Sequence, residues 1–130
     1  MLQEGSISLY VHDELLGHVP NPGFQARHGK SLQTIGNDAL RWDGEASPLS
    51  ERTILAVGDS STYGEEVNDD QTWPAYLQRL TGRRVLNGGV TGYGFDQTVL
   101  RAEQLADRLS PSTIIVSFIE DNLRRAEMGT

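Results

Sequence analysis

Residues 51–130 alternate three short apolar segments with two amphipathic ones, and no other feature constrains the fold as much. The apolar segments are residues 53–57, 84–87 and 113–119. Short continuous apolar runs are typical of strands that are covered on both faces. Residues 72–82 and 95–110 are predicted to form the two helices between them. This β-α-β-α-β order predicts an α/β fold with parallel strands and right-handed crossovers.

Both predicted helices carry end signals and an apolar stripe. Thr72 can cap the first helix, Pro74 falls in its first turn and Gly82 can end it, while Pro111 stops the second. Helical spacing predicts that one face of each helix is buried. The first face comprises Trp73, Tyr76, Leu77 and Leu80, and the second comprises Phe95, Val99, Ala102, Leu105, Ala106 and Leu109.

Residues 1–50 have a different character and are interpreted as an extended, loop-rich arm that packs on a domain formed by residues 51–130. They contain two short strand-like segments, residues 7–11 and 31–35, and a Pro-Asn-Pro-Gly turn at 20–23. Trp42 either packs this arm down or covers a crevice of the domain, and the sequence leaves both open.

Composition excludes several function classes. The net charge of −7 disfavours nucleic acid and anionic membranes as partners, because both bind surfaces rich in Lys and Arg. The chain has no cysteine, which excludes disulfides and thiolate metal sites. No apolar run approaches the roughly 18 residues of a membrane span, and the N-terminus does not resemble a signal peptide. The cellular location stays open.

The loops that follow the three predicted strands contain most of the residues suited to chemistry. They are residues 58–64, 87–94 and 120–125, rich in Gly, Asn, Asp and Ser. In an open parallel sheet a ligand binds outside the carboxyl ends of the strands, where the strand order reverses. If the first strand lies between the other two, we expect the three loops to meet at one crevice.

Two of these loops resemble sequence blocks of the SGNH hydrolases, also called GDSL esterases and lipases. Gly58-Asp59-Ser60 is similar to the first block of that family, and Asn87-Gly88-Gly89-Val90-Thr91-Gly92 is similar to the second. The resemblance covers about residues 53–125. It implies a flavodoxin-like, three-layer parallel sheet with short crossover helices.

The resemblance also implies a serine ester hydrolase that forms an acyl-serine intermediate without metal or cofactor. Ser60 would be the nucleophile, and the N–H groups of Ser60 and Gly89 and the side chain of Asn122 would form the oxyanion hole. Asp59, Ser61 and Gly88 would lie beside the substrate, a small-molecule or carbohydrate ester.

The sequence departs from the family pattern in two places. The third block is Ser-Phe-Ile-Glu-Asp-Asn, so that either Asp121 or Asn122 occupies the usual Asn position. The Asp-x-x-His block that supplies the general base has no counterpart, and His12, His18 and His28 all precede Ser60. We therefore expect a weakly active or inactive portion of a longer enzyme, with a sheet truncated after its third strand. That apolar edge would otherwise be covered by the arm or by a second copy of the chain.

Several simpler interpretations compete with these assignments. Ser60 could merely cap a helix. The acidic cluster of residues 65–70 is expected to be a solvated loop, and Arg124 and Arg125 are expected to be a surface pair. A carbohydrate- or acyl-binding module without catalysis is the main alternative function. A flavodoxin-like nucleotide or flavin binder is disfavoured, because Glu65 and Glu66 would lie near the phosphate.

Overall fold

The computed structural model describes residues 8–28, 31–44 and 50–128. The strands are β1 (Tyr10–Asp13), β2 (Gly17–Pro20), β3 (Gln25–His28), β4 (Ser31–Thr34), β5 (Ile54–Val57), β6 (Val85–Asn87) and β7 (Thr113–Val116). The helices are α1 (Ser60–Tyr63), α2 (Trp73–Thr81), α3 (Phe95–Leu109) and α4 (Glu120–Met128), with a 3-10 helix at Asp69–Gln71. Within these ranges no helix has the length and apolar character that a membrane crossing requires.

The centre of the fold is a three-stranded parallel sheet with the order β6-β5-β7. This confirms the predicted α/β class with parallel strands, and it meets the condition that the first strand of the domain lies between the other two. The third strand is shorter than predicted and ends at Val116. Beyond it, the Asn122 side chain accepts a hydrogen bond from the Ile119 N–H (2.7 Å), which directs the chain into α4.

Helices cover both faces of this sheet. On one face, Ile54 and Ala56 of β5 pack with Val85 and with the half-buried Trp73 and Leu77 of α2. The opposite face has its own cluster, composed of Leu40, Leu55, Val57, Leu86, Ala102 and Leu105. All four residues of β5 are fully or almost fully buried, as its continuous apolar sequence predicted.

Helix α2 forms where predicted, but its buried face differs from the predicted one. The Thr72 hydroxyl accepts from the Ala75 N–H (3.2 Å), and Gly82 ends the helix in the left-handed conformation with φ +70°. The prediction that Tyr76 and Leu80 are core residues is wrong, because they are 51% and 83% exposed.

The side of α2 that faces the sheet is set by small and polar residues. Pro74, Ala75 and Gln78 are the buried ones, and the Gln78 amide oxygen accepts from the Val85 N–H at 2.9 Å. This bond to β6 turns the helix so that Tyr76 points outward, where its ring carries the Arg79 guanidinium at 4.4 Å.

This difference in burial predicts opposite outcomes for two leucine truncations. Leu105→Ala should lower the free energy of unfolding by about 2–5 kcal/mol, because Leu105 is 2% exposed and its removal leaves a cavity. Leu80→Ala should change it by less than about 0.5 kcal/mol, because the side chain already lies in solvent. Urea denaturation of both variants measures the contrast, and equal losses would contradict the burial of Leu105 and the exposure of Leu80.

The arm forms two antiparallel hairpins, β1–β2 and β3–β4, and packs closely on the domain. The strand predicted at 7–11 begins at Tyr10, with residue 7 outside the described residues, and the one at 31–35 corresponds to β4. Leu16, Ile35 and Leu40 are buried, so the arm contributes to the core.

The arm also reaches the β6 edge of the central sheet. The Arg41 N–H donates to the Asn87 carbonyl (3.1 Å) in an antiparallel bridge. Trp42 follows and its N–H donates to the Thr34 carbonyl at 2.8 Å. The half-buried Trp42 lines a cavity between arm residues such as Leu40 and the domain residues Arg84 and Leu86.

Helix α3 faces the sheet with the predicted stripe. Ala102 and Leu105 are buried, and the other four residues of the stripe are half-buried. Arg101 is also buried, which the apolar stripe did not reveal. Its Nε donates to the Gly88 carbonyl (2.9 Å) and its guanidinium to the Ala39 carbonyl (2.8 Å), and burial lowers its pKa. Arg101 thereby joins α3 to the arm.

Candidate active site

Ser60 is the first residue of α1 and lies immediately beyond the carboxyl end of β5. Strand and helix are joined by only two residues, Gly58 and Asp59, of which Asp59 is the N-cap. Gly58 has no space for a side chain, since a Cβ atom there would lie 2.3 Å from the Thr62 hydroxyl and 2.9 Å from the Ser117 carbonyl. This packing fixes the position of the backbone just before Ser60.

The Ser60 side chain is half-buried and borders a cleft of about 380 Å³. Within the described part of the chain its hydroxyl has no hydrogen-bond partner, so it does not act as the cap of α1. Ser61 is exposed at the same cleft. The other lining residues are Gly64, Glu65, Glu66, Val67, Gln71, Thr72 and Trp73.

The buried side chain of Asp59 stabilises this turn by accepting three hydrogen bonds. Its side chain is 6% exposed; Oδ1 accepts from the Ser61 N–H (2.9 Å), and Oδ2 accepts from Asn122 Nδ2 (2.9 Å) and from Arg125 (3.3 Å). Burial alone would raise the pKa of Asp59, but the bonds from Asn122 and Ser61 and the charge of Arg125 hold that pKa below its ordinary value.

Asn122 joins the three loops, but the cleft at Ser60 is lined by residues between 60 and 73, so the crevice predicted to be shared by all three loops is not confirmed. Asn122 Nδ2 donates to Asp59 of the first loop and to the Tyr93 carbonyl of the second loop (3.3 Å), and the residue is 1% exposed. Asp121 points the other way and pairs with Arg124 and Arg125 on the surface of α4. Of the two candidates in the third block, Asn122 is therefore the one that faces the Ser60 loop.

Gly89 is packed against α1. A Cβ atom at Gly89 would lie 2.5 Å from the Tyr63 nitrogen and 2.8 Å from the Thr62 Cβ. The Gly89 N–H donates to Asn87 Oδ1 (3.0 Å), and Asn87 Nδ2 donates to the Thr62 carbonyl (2.9 Å). Gly89 thus joins the second loop to α1 but does not line the Ser60 cleft.

The remaining predicted residues divide into those that line the Ser60 cleft and those that do not. Gly88 is buried, its N–H donates to the Ala56 carbonyl at 2.7 Å, and a Cβ atom there would lie 2.9 Å from Leu105. Ser61 lines the cleft, whereas Gly88 and Asp59 do not. Both N–H groups of the Asn122 amide and the Gly89 N–H are bonded to protein acceptors, so their oxyanion role stays a prediction.

The two described histidine side chains do not bond to Ser60. His18 Nε2 donates to the Thr91 carbonyl (2.8 Å), and its ring packs edge-on against Tyr10 and Tyr93. His12 is exposed and opposes His18 in the β1–β2 hairpin. The side chain of His28 lies outside the described residues.

Two sequence interpretations need correction. Asp69 was expected in a solvated loop, but it is 6% exposed and accepts from Arg41 Nε (3.1 Å) and from the Thr34 N–H (2.8 Å). Arg125 was expected to be a surface residue, yet it donates to Asp59 and to the Tyr93 carbonyl (3.0 Å). These four bonds join residues 28 to 66 positions apart in the sequence, and no local signal marks them.

The Asp59 contacts predict an acid-sensitive part of the stability. The unfolded pKa of an aspartate is about 3.9, and the folded value is lower. The ionised carboxylate therefore stabilises the fold fully above the unfolded pKa. This contribution is lost as the pH falls through the folded pKa. Asp59→Asn should cost about 1.5–3 kcal/mol at pH 7 and much less near pH 2. Denaturation at both pH values checks this, and a constant difference would contradict it.

Comparison with protein-family models and with curated proteins gave no match to this chain.

Proposed function

We propose that this chain carries the Ser60 site of an SGNH-type serine ester hydrolase on a flavodoxin-like sheet. One observation supports this most: a buried parallel strand ends in a two-residue turn, and the serine that follows borders a cleft with a hydroxyl that has no partner among the described residues. The turn is stabilised by the Asp59 side chain, which accepts hydrogen bonds from the Ser61 N–H and from Asn122 of the third loop. A strand-to-helix turn of this kind is a recurrent way to expose a nucleophile.

In the proposed reaction, the Ser60 oxygen attacks the ester carbonyl while its proton passes to a general base. The tetrahedral intermediate then expels the alcohol, which takes up the proton, and water hydrolyses the acyl-serine. The oxyanion would be stabilised by the N–H groups of Ser60 and Gly89 and by Asn122. The Gly89 N–H is bonded to Asn87 and the Asn122 amide to Asp59 and Tyr93, and neither residue lines the Ser60 cleft, so the proposal requires both donors to move toward Ser60.

The cleft favours an uncharged substrate. Glu65 and Glu66 line it beside Ser60, and their charges disfavour an anionic acyl or alcohol group. Carboxylates and the Gln71 amide can accept hydrogen bonds from hydroxyl groups. A carbohydrate ester or another neutral small-molecule ester fits this lining best.

Fluorophosphonate labelling tests the proposal, with Ser60→Ala as the critical variant and Ser61→Ala as the matched control. We expect slow labelling that Ser60→Ala abolishes and Ser61→Ala retains. Since neither described histidine bonds to Ser60, added imidazole should accelerate labelling by supplying a base. Absence of Ser60-dependent labelling with and without imidazole would contradict the proposal.

A non-catalytic module that binds a carbohydrate or acyl ligand is the second candidate. The engaged state of Gly89 and Asn122 favours it, because a binding site needs no free oxyanion donors. Titration with an acetylated oligosaccharide distinguishes the two functions. A binding module should retain its affinity in Ser60→Ala and leave the ester intact, whereas the hydrolase should release acetate.

The exposed side of β7 supports self-association of the chain as a further proposal. Among the described residues β7 has β5 as its strand partner, so the described arm does not cover this edge. Ile114 and Val116 are 41% and 39% exposed there, beside the exposed Phe118. Unpaired apolar edges tend to pair with other strands. Light scattering should show association that Val116→Lys weakens, and a monomer at all concentrations would contradict it.

A further inference from the structure

Arg125 links helix α4 to two loops of the candidate active site, residues 58–64 and 87–94. One guanidinium nitrogen, NH1, lies 3.0 Å from the Tyr93 carbonyl and 3.3 Å from Asp59 Oδ2, and Nε lies 3.1 Å from Asp121 Oδ2. Its side chain is 34% exposed, whereas the Asp59 side chain that it contacts is only 6% exposed. The charge of Arg125 therefore acts on a carboxylate that is largely shielded from solvent.

The other oxygen of this carboxylate holds the start of α1. Asp59 Oδ1 accepts from the Ser61 N–H (2.9 Å), and the Asp59 carbonyl accepts from the N–H groups of Thr62 and Tyr63 (3.1 and 2.9 Å). Ser60 lies between Asp59 and Ser61 in the chain. Rotation of the Asp59 side chain would break its bond to the Ser61 N–H and so remove one of the contacts that fix the chain next to Ser60.

Helix α4 can hold the Arg125 side chain in place because it packs tightly on the second loop, residues 87–94. A Cβ atom at Gly94 would lie 2.9 Å from the Ala126 nitrogen and 3.1 Å from the Arg125 Cβ. This close approach fixes the base of the Arg125 side chain. The neighbouring Arg124 has no such role, since its side chain is 71% exposed and pairs with Asp121.

We infer that Arg125 is a positioning residue for Ser60, which it holds in place by fixing the carboxylate of Asp59 between α4 and α1. The inference rests on the proposed function of Ser60. Arg125 does not border the Ser60 cleft, so it acts through Asp59 and not on the substrate. Small displacements of a reacting group reduce rates strongly, which makes the labelling rate a sensitive measure of this effect.

The test compares Arg125→Ala, Arg125→Lys and Arg124→Ala in two measurements. The fluorophosphonate labelling rate of Ser60 should fall about tenfold in Arg125→Ala, recover partly in Arg125→Lys and change less than about twofold in Arg124→Ala. The ¹⁵N–¹H resonance of the Ser61 amide should shift in Arg125→Ala and stay in place in Arg124→Ala. Thermal melts identify any variant that fails to fold, and Arg125→Lys then carries the comparison.

The two measurements separate the inference from the proposed function. If the unmodified chain shows no labelling at Ser60, the proposed function fails, while the Ser61 resonance still reports whether Arg125 holds α1. If the unmodified chain is labelled, but Arg125→Ala matches it in rate and in Ser61 resonance, the inference is overturned. An equal loss in Arg124→Ala would overturn it as well.

Discussion

Replacing Arg41 by methionine is expected to lower the free energy of unfolding by about 3–5 kcal/mol, enough to unfold a marginally stable domain. The Arg41 guanidinium is buried and all five of its N–H groups are bonded. The acceptors are Asp69 Oδ1 and the carbonyl oxygens of Leu32, Tyr63, Gly64 and Val67. Methionine fills a similar volume but removes these five bonds and leaves Asp69 without its counter-charge.

Arg108→Met is the matched control for Arg41→Met. Arg108 is exposed and makes one bond to the arm, from its guanidinium to the Asp38 carbonyl (3.0 Å). Its replacement should cost less than about 1 kcal/mol. Urea denaturation of the two variants gives the comparison. A loss below 1 kcal/mol for Arg41→Met would show that Arg41 does not hold the arm to the loop that follows α1.

Gly89→Ala is expected to reduce both the stability of the fold and the reactivity of Ser60. The added Cβ atom would lie 2.5 Å from the backbone nitrogen of Tyr63, so the second loop or α1 must move. Overpacking of this kind costs about 1–3 kcal/mol or more. Because α1 begins at Ser60, the displacement should also slow the labelling of Ser60 by at least about tenfold.

Gly82→Ala provides the contrast for this experiment. Gly82 has φ +70°, but a Cβ atom there would meet nothing within 4 Å. Backbone strain alone should then cost about 1 kcal/mol, with no change in the labelling rate. Denaturation and labelling of both variants test the argument. A Gly89→Ala chain as stable and as reactive as Gly82→Ala would contradict the packing of Gly89 on α1.

The parts of the fold that depend on local signals could be predicted from the sequence. The cap at Thr72, the stop at Gly82 and the continuous apolar run of β5 each act within a few residues. The burial of α2 could not be predicted in the same way. Its apolar residues span a wide arc, and the bond from Val85 to Gln78 decides which side of that arc faces the sheet.

The position of Ser60 followed from the strand-end rule, because the turn after a buried strand is set by the chain itself. The residues that hold this turn did not follow. Arg41 and Arg125 each reach partners more than twenty residues away in the sequence. An isolated arginine has no local pattern that distinguishes a buried, fully bonded side chain from a solvated one.

We propose above all that the Ser60 hydroxyl acts as a nucleophile. Incubation with an activated acetyl ester, followed by trypsin digestion and fragmentation of the peptide of residues 53–79, tests it most directly. We expect an acetyl group on Ser60 that is absent from Ser60→Ala and still present in Ser61→Ala. Acetylation confined to other residues, or equal in Ser60→Ala, would contradict it.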